Sequence, residues 1–163
     1  MDVSDFSEPT LIILCVLMFI GASPSSVGGG VRTTTFAINL LFLFAFARGY
    51  KNVRIFKREL HEDDVRKSLV VTVIAVFLCF LATVILTRTE SFSLIEILFE
   101  VCSAFGTTGL SMGITADLSS IGKIVITLLM FIGRIGILSF IFLINKGDVE
   151  TNYHYPKERV ILG

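Results

Sequence analysis

Two stretches of sequence decide the fold: LVVTVIAVFLCFLATVIL at residues 69–86 and IVITLLMFIGRIGILSFIFLI at residues 124–144. The first contains no charged residue, and the second contains a single one, Arg134. A helix needs ~20 apolar residues to cross a bilayer, so both stretches predict membrane spans. The chain of 163 residues is 53% hydrophobic and 17% charged, which largely excludes a soluble enzyme. Its net charge of zero argues against a nucleic-acid binder, which needs a basic surface.

The N-terminal region reads as two apolar blocks around a polar interruption. Residues 11–22 and 36–47 are apolar, and SPSSVGGGVRTTT at 23–35 separates them. Pro24 and three consecutive glycines make a straight helix implausible. Non-helical backbone survives at membrane depth only where it is buried in protein or lines a wet cavity. We therefore expect residues 1–47 to form one broken membrane helix.

A basic segment sets the expected orientation. Residues 48–67 carry seven Lys and Arg residues, whereas residues 88–122 carry only Arg88. Short loops rich in Lys and Arg stay on the cytoplasmic side. We expect the linker 48–67 and the tail 146–163 to be cytoplasmic, in a multi-pass protein of the cell membrane.

Residues 68–145 predict a complete span–half-helix–loop–span unit. FSLIEILFEVCSAF at 92–105 is typical of a helix, but its ~14 residues are too short to cross ~30 Å of hydrocarbon. GTTGLSMG follows at 106–113 and is poor in helix formers. The order matches a pore-loop unit, in which a half-helix leads into an extended segment that offers carbonyl oxygens.

An internal repeat supports this interpretation. LMFIG occurs at 17–21 and again at 129–133, and in the same register Asp5, Ser7 and Ile12 have the identical partners Asp117, Ser119 and Ile124. Internal repeats are common in transport folds. In this register the loop at 107–111 would map to positions before Met1. We therefore expect this chain to be a C-terminal portion of a larger pore protein, or a truncated reading frame.

The segment TTGLS is a candidate cation filter. A K⁺ filter replaces the water around the ion with backbone carbonyl oxygens, and Gly109 stands where the filter pattern TVGYG has its first glycine. Glycine permits the positive φ that such a strand uses. The alternative is an ordinary turn at the membrane surface. The candidate residues are Thr107, Thr108, Gly109, Leu110 and Ser111.

Two further features lie within the apolar segments. The Gly/Ser stretch 23–30 is either a gate that blocks or clears a pore, or a plain hinge between helices. Arg134 is a costly charge inside a predicted span and is a functional candidate by default. We expect it near the depth of the Gly/Ser stretch; the alternative is a buried structural ion pair.

Other polar and thiol residues have weaker signals. Glu96 and Glu100 are four residues apart, and they either attract cations to a vestibule or form a solvated face. Cys15, Cys79 and Cys102 lie in apolar stretches without metal spacing, so buried, inert thiols are expected. No catalytic constellation is visible, and we predict that the chain is not an enzyme and binds no cofactor.

Three motifs carry a family resemblance over nearly the whole chain: GASPSSVGGGVRTTTF (21–36), CSAFGTTGLSMGIT (102–115) and LMFIGRIG (129–136). Together they resemble the Trk/Ktr/HKT superfamily, most closely the KtrB type of membrane subunit in bacterial K⁺ uptake systems. The resemblance implies an all-α membrane fold of four pore-loop repeats, of which this chain holds the end of the third and all of the fourth.

The resemblance also implies roles for single residues. Residues 107–111 would be the fourth repeat's filter, with K⁺ held by its carbonyl oxygens, and Arg134 would be the arginine beneath it. Gly163 would end a tail used at a homodimer interface. The implied intramembrane gate comprises Gly21, Ala22, Ser23, Ser25, Ser26, Gly28, Gly29 and Gly30.

The implied partners lie outside this chain. Members of the family form homodimers on a cytoplasmic ring of nucleotide-binding regulatory subunits of the KtrA type, and ATP or ADP binds that ring. Na⁺ is a possible coupling ion. We expect a K⁺-translocating subunit seen in part; the alternative is a truncated, non-conducting protein that pairs with full-length subunits.

Overall fold

The computed structural model describes residues 6–49, 54–55 and 58–137. They form five helices, which are α1 (Glu8–Ile20), α2 (Thr33–Ala47), α3 (Glu62–Thr89), α4 (Leu94–Gly106) and α5 (Ser120–Ile135). The strands β1 (Arg54–Ile55) and β2 (Arg58–Glu59) form a small antiparallel pair between α2 and α3. The predicted all-α class is confirmed, apart from this short pair. The predicted tail 146–163, with Gly163, lies outside the described residues.

Helix α3 is longer than the predicted span 69–86. Its 28 residues begin inside the segment predicted as a linker, because Glu62, Asp63 and Asp64 fill its first turn and favour the positive end of the helix dipole. Of the helices in the described part, α3 alone is long and apolar enough to cross a membrane by length and composition. Only 22% of its most apolar 18-residue window is buried. The rest of that window is free to face lipid or further protein.

Helix α4 is the centre of the fold. It packs against α1, α3 and α5, and the whole of its C-terminal part, Phe99–Gly106, is buried. The aromatic rings of Phe19 in α1 and Phe105 in α4 stack with centroids 5.7 Å apart. A half-helix too short to cross a bilayer is thereby held from three sides, and its C-terminal end occupies a fixed place.

Helices α1 and α5 begin at equivalent positions of the sequence repeat. Their N-cap residues are Ser7 and Ser119, which the repeat aligns with each other, and both helices pack on α4. Their ends differ: α1 ends at Gly21, with φ of 71°, whereas α5 runs almost one turn further and ends at Gly136, with φ of 87°. Helix α5 thus begins before the predicted span 124–144 and ends within it, because Gly136, with ψ of 139°, takes an extended, positive-φ backbone conformation open mainly to glycine.

Polar side chains join α2 to α3. The Asn39 amide donates to the Thr72 hydroxyl at 2.7 Å and accepts from the Ser68 hydroxyl at 2.8 Å. No residue of α2 is buried within the described chain, so α2 is attached mainly through this contact with α3. Hydrogen bonds between helices are a common means of association inside membranes.

Candidate functional site

The segment 107–111 begins directly after the C-terminal end of α4. Ser93 and Glu96 form a capping box at the start of α4. At its end, the Thr107 N–H donates to the Ala104 carbonyl at 3.1 Å and the Thr108 N–H to the Ser103 carbonyl at 3.0 Å. This is a Schellman motif, in which glycine usually takes the left-handed position. Here Thr107 takes it, with φ of 50° and ψ of 40°.

The backbone after Thr107 is irregular and departs from helical structure. Gly109 has φ of 80° and Gly113 has φ of 93°. A Cβ on either glycine would have no other atom within 4 Å. Glycine is therefore favoured at both positions by the backbone conformation and not by lack of space. The C-terminal end of α4, which carries the negative end of the helix dipole, leads directly into this segment and favours a cation.

The far end of the segment is held by a buried carboxylate. Glu100 is 4% exposed, and it accepts hydrogen bonds from the Ser111 hydroxyl at 2.9 Å and from the Thr115 hydroxyl. Glu96, one helical turn earlier, caps α4 by accepting from the Ser93 N–H. The solvated face considered for this pair is therefore wrong for Glu100, and its carboxylate instead binds hydroxyl groups at the end of the candidate filter.

The loop between α1 and α2, residues 21–32, folds back on the end of α1. The Val31 N–H donates to the Phe19 carbonyl at 3.2 Å, and the Arg32 N–H donates to the Ile20 carbonyl at 2.9 Å. The Arg32 guanidinium also donates to the Pro24 carbonyl at 3.0 Å. The loop therefore has an ordered backbone. Its segment Gly29–Val31 is buried, and its segment Ser23–Val27 is exposed.

Five glycines bring the loop, α1, α4 and α5 into backbone contact: Gly21, Gly29, Gly30, Gly106 and Gly133. A Cβ on Gly133 would lie 2.1 Å from the Phe105 carbonyl oxygen, and a Cβ on Gly106 would lie 2.3 Å from the Met18 carbonyl oxygen. A Cβ on Gly21 would lie 2.1 Å from the Gly29 carbonyl oxygen. Only glycine allows these approaches. We call this set the glycine junction.

The glycine junction connects the predicted gate to the predicted filter. The Gly29 N–H donates to the Gly106 carbonyl at 3.2 Å and to the Thr107 hydroxyl at 2.9 Å. A cavity of about 390 Å³ is lined by both groups of residues and by α1. Its lining includes Gly21, Ala22, Gly28, Thr107, Thr108 and Leu110.

Arg134 lies directly after the glycine junction. Gly29 of the loop contacts the backbone of Gly133, since a Cβ on Gly29 would lie 2.9 Å from the Gly133 carbonyl oxygen. Arg134 is the next residue along α5. The Arg134 side chain is exposed, and the ion pair found among the described residues joins Arg66 to Glu62 instead. Among the described residues, Arg134 forms no ion pair, so they do not support the alternative of a buried structural ion pair.

The three thiols lie together in the interior. Cys15, Cys79 and Cys102 are buried and free, and they line an apolar cavity of about 370 Å³ between α1, α3 and α4. Within the described residues, no group of three or more His, Cys, Asp or Glu side chains is arranged to hold a metal ion.

Sequence reasoning missed the roles of Glu100 and Arg32. Glu100 belongs to a helix whose sequence alone does not tell which turn is buried, although two hydroxyl residues follow it at positions 111 and 115. Arg32 directly follows Val31 at the end of the Gly-rich stretch, where its carbonyl partner cannot be read from the sequence. Glu90 was also missed; it accepts from the Ser119 N–H at 3.1 Å and holds the start of α5.

The profile of the TrkH family, described as a cation transport protein, matches residues 1–152. Because this match covers far more than half of the sequence, the chain belongs to the TrkH family of cation transport proteins. The family resemblance inferred from the three motifs is confirmed, and the chain is a membrane protein of a transport family and not an enzyme.

Curated relatives agree with this assignment. The chain is 70% identical over 162 residues to Ktr system potassium uptake protein D of Bacillus subtilis (strain 168), covering 99% of this chain and 36% of that protein. It is 40% identical to Ktr system potassium uptake protein B of the same organism, covering 100% of this chain and 36% of that protein. It is 41% identical to potassium/sodium uptake protein NtpJ of Enterococcus hirae, covering 99% of this chain and 37% of that protein. The chain thus spans little more than a third of each of these relatives.

Proposed function

We propose that this chain is the C-terminal part of a K⁺ uptake protein, and that it supplies one of four filter segments and the gate of the pore. The observation that carries the proposal is the contact between loop 21–32 and segment 107–111 at the glycine junction. Names of relatives that take up potassium support K⁺ as the ion. The name of NtpJ supports Na⁺ as a second ion, either transported or coupled.

In this proposal, carbonyl oxygens of residues 107–111 replace part of the water around K⁺. The end of the α4 dipole stabilises the ion, and loop 21–32 lies at the end of the filter next to α4. Movement of the loop opens the path, and Arg134 lies beside the loop as a positive charge that limits cation entry. The partners are a second copy of the complete protein and a cytoplasmic ring of the KtrA type that binds ATP or ADP.

The filter assignment is tested by Gly109→Ser in the complete transporter, with Gly113→Ser as the matched control. Both glycines have positive φ and open space around them, so both substitutions add backbone strain, about 1–3 kcal/mol each, without a steric clash. Only Gly109 lies within 107–111. We expect Gly109→Ser to lower the preference for K⁺ over Na⁺ in ⁸⁶Rb⁺ and ²²Na⁺ uptake, and Gly113→Ser to preserve it. Equal ion preference in both variants would count against the filter.

The gate assignment is tested by deleting residues 25–30. We expect uptake without the regulatory subunits to rise, because the loop can no longer occupy the space below the filter. If uptake still depends on the regulatory subunits to the same extent, the loop is only a hinge. The alternative of a non-conducting interaction protein predicts that the chain is stable only when it is purified with a full-length partner.

A further inference from the structure

The first residue of the proposed filter has a backbone conformation that its side chain does not favour. Thr107 is β-branched, yet it adopts the left-handed conformation that ends α4. Such a conformation is an outlier for a β-branched residue, and strained backbone persists where surrounding contacts hold it. Glycine would fit the same position without strain. The presence of a threonine therefore calls for a role of its side chain.

The Thr107 side chain has one specific partner in the loop. Its hydroxyl oxygen accepts from the Gly29 N–H at 2.9 Å, across 78 residues of sequence. Gly29 is close-packed, and a Cβ there would lie 3.0 Å from the Thr107 hydroxyl oxygen and 3.0 Å from the Phe105 carbonyl oxygen. The loop and the filter segment thus meet through a contact that only glycine at position 29 accommodates without a shift of its neighbours.

We infer that Thr107 is a positioning residue whose hydroxyl latches loop 21–32 to the first residue of the filter segment. Loop 21–32 can move away from segment 107–111 only if the Gly29–Thr107 hydrogen bond breaks. When it moves, the strained backbone of Thr107 therefore loses a contact that holds it in place. This inference rests on the proposed function, which makes the loop a gate and the segment a filter.

The test compares Thr107→Val with Thr107→Ser in the complete transporter with its regulatory subunits. Valine has the shape and branching of threonine, so it keeps the backbone strain and removes only the hydroxyl; serine keeps the hydroxyl. Loop release is measured by maleimide labelling in a Val31→Cys background, because Val31 is 3% exposed and becomes accessible only when the loop leaves. The parent with its native cysteines gives the background labelling.

We expect Thr107→Val to raise the labelling rate at position 31 about fivefold, the shift expected for loss of one neutral hydrogen bond. Thr107→Ser should label at the rate of the parent. The latch is overturned if Thr107→Val leaves labelling unchanged, or if Thr107→Ser labels as fast as Thr107→Val.

Uptake of ⁸⁶Rb⁺ without regulatory subunits, measured on the same variants, separates the latch from the gate. If labelling and uptake rise together in Thr107→Val, both the latch and the proposed gate are supported. If labelling rises and uptake does not, the latch stands and the gating role of the loop fails.

Discussion

At the scale of single residues, Glu100 shows how one buried carboxyl group can hold the end of the proposed filter segment. It accepts hydrogen bonds from Ser111, at the end of the proposed filter segment, and from Thr115, four residues further on. Leaving a buried polar group without its partner costs about 1–3 kcal/mol, so Glu100 contributes to holding the far end of the segment.

Replacing Glu100 with alanine should lower both the melting temperature of the purified transporter and its preference for K⁺ over Na⁺, because Ser111 and Thr115 lose their acceptor. Glu96→Ala is the matched control, one helical turn away on the same helix. It removes the Glu96 half of the capping box, which contributes about 0.3–1.5 kcal/mol, but leaves residues 111–115 in place. Thermal unfolding and ion competition are measured on both. An unchanged ion preference in Glu100→Ala would contradict the role given to Glu100.

The glycine junction predicts a steric effect at Gly133. A methyl group there would lie 2.1 Å from a backbone carbonyl of α4, and no flexible side chain can move aside. We expect Gly133→Ala to cost about 3 kcal/mol or more, the upper end of overpacking costs, and to lower the yield of folded protein. Gly136→Ala meets no neighbour, so it should add only the backbone strain of φ 87° and ψ 139°, about 1–3 kcal/mol. Yield and thermal unfolding in detergent compare the two; equal loss would argue against the contact.

At the scale of elements, the contact between α2 and α3 is the clearest case of a polar bond within apolar surroundings. Replacing Asn39 with leucine should destabilise the protein by only about 0.6 kcal/mol, and by at most about 1.7 kcal/mol, because hydrogen bonds between membrane helices are modest. Thr34→Val, on the same helix but at an exposed position, should have no effect. Thermal unfolding in detergent measures both, and a loss well above this range would show that Asn39 has a larger role.

The helices themselves could be predicted from the sequence to different degrees. Apolar length revealed α3, and the short length of 92–105 revealed α4 to within two residues at its start and one at its end. The ends of α3 and α5 could not be predicted, because acidic residues extend α3 into a polar segment and Gly136 ends α5 inside an apolar one. A run of hydrophobic residues indicates which part of the chain can lie in lipid, but backbone conformation and capping residues determine where a helix ends.

The candidate site was less accessible to sequence reasoning than the helices. Glycines and threonines marked the two segments, and the repeat related α1 to α5. The junction itself depends on distances between backbones that are far apart in sequence, as between Gly29 and Thr107. Exposure of Arg134 and burial of Glu100 likewise depend on packing, and residue type alone does not reveal either of them.

At the scale of the whole molecule, the 163-residue chain should not conduct K⁺ selectively by itself. It carries one proposed filter segment, and a dehydrated cation needs carbonyl oxygens from several such segments. Liposomes that contain the purified chain should take up ⁸⁶Rb⁺ no faster than empty liposomes, whereas the complete transporter should load them. Selective uptake by the chain alone would contradict the assignment of a single segment to it.

The hydrogen bonds that hold loop 21–32 against its neighbours have a consequence for amide hydrogen exchange. A loop proposed as a gate is expected to be mobile, but the N–H groups of Gly29, Val31 and Arg32 are all hydrogen-bonded to carbonyl or hydroxyl oxygens of neighbouring elements. Such amides exchange with solvent only when the structure opens locally. Deuterium uptake at these three positions should therefore be as slow as in the helices at rest, and exchange there would report local opening of loop 21–32.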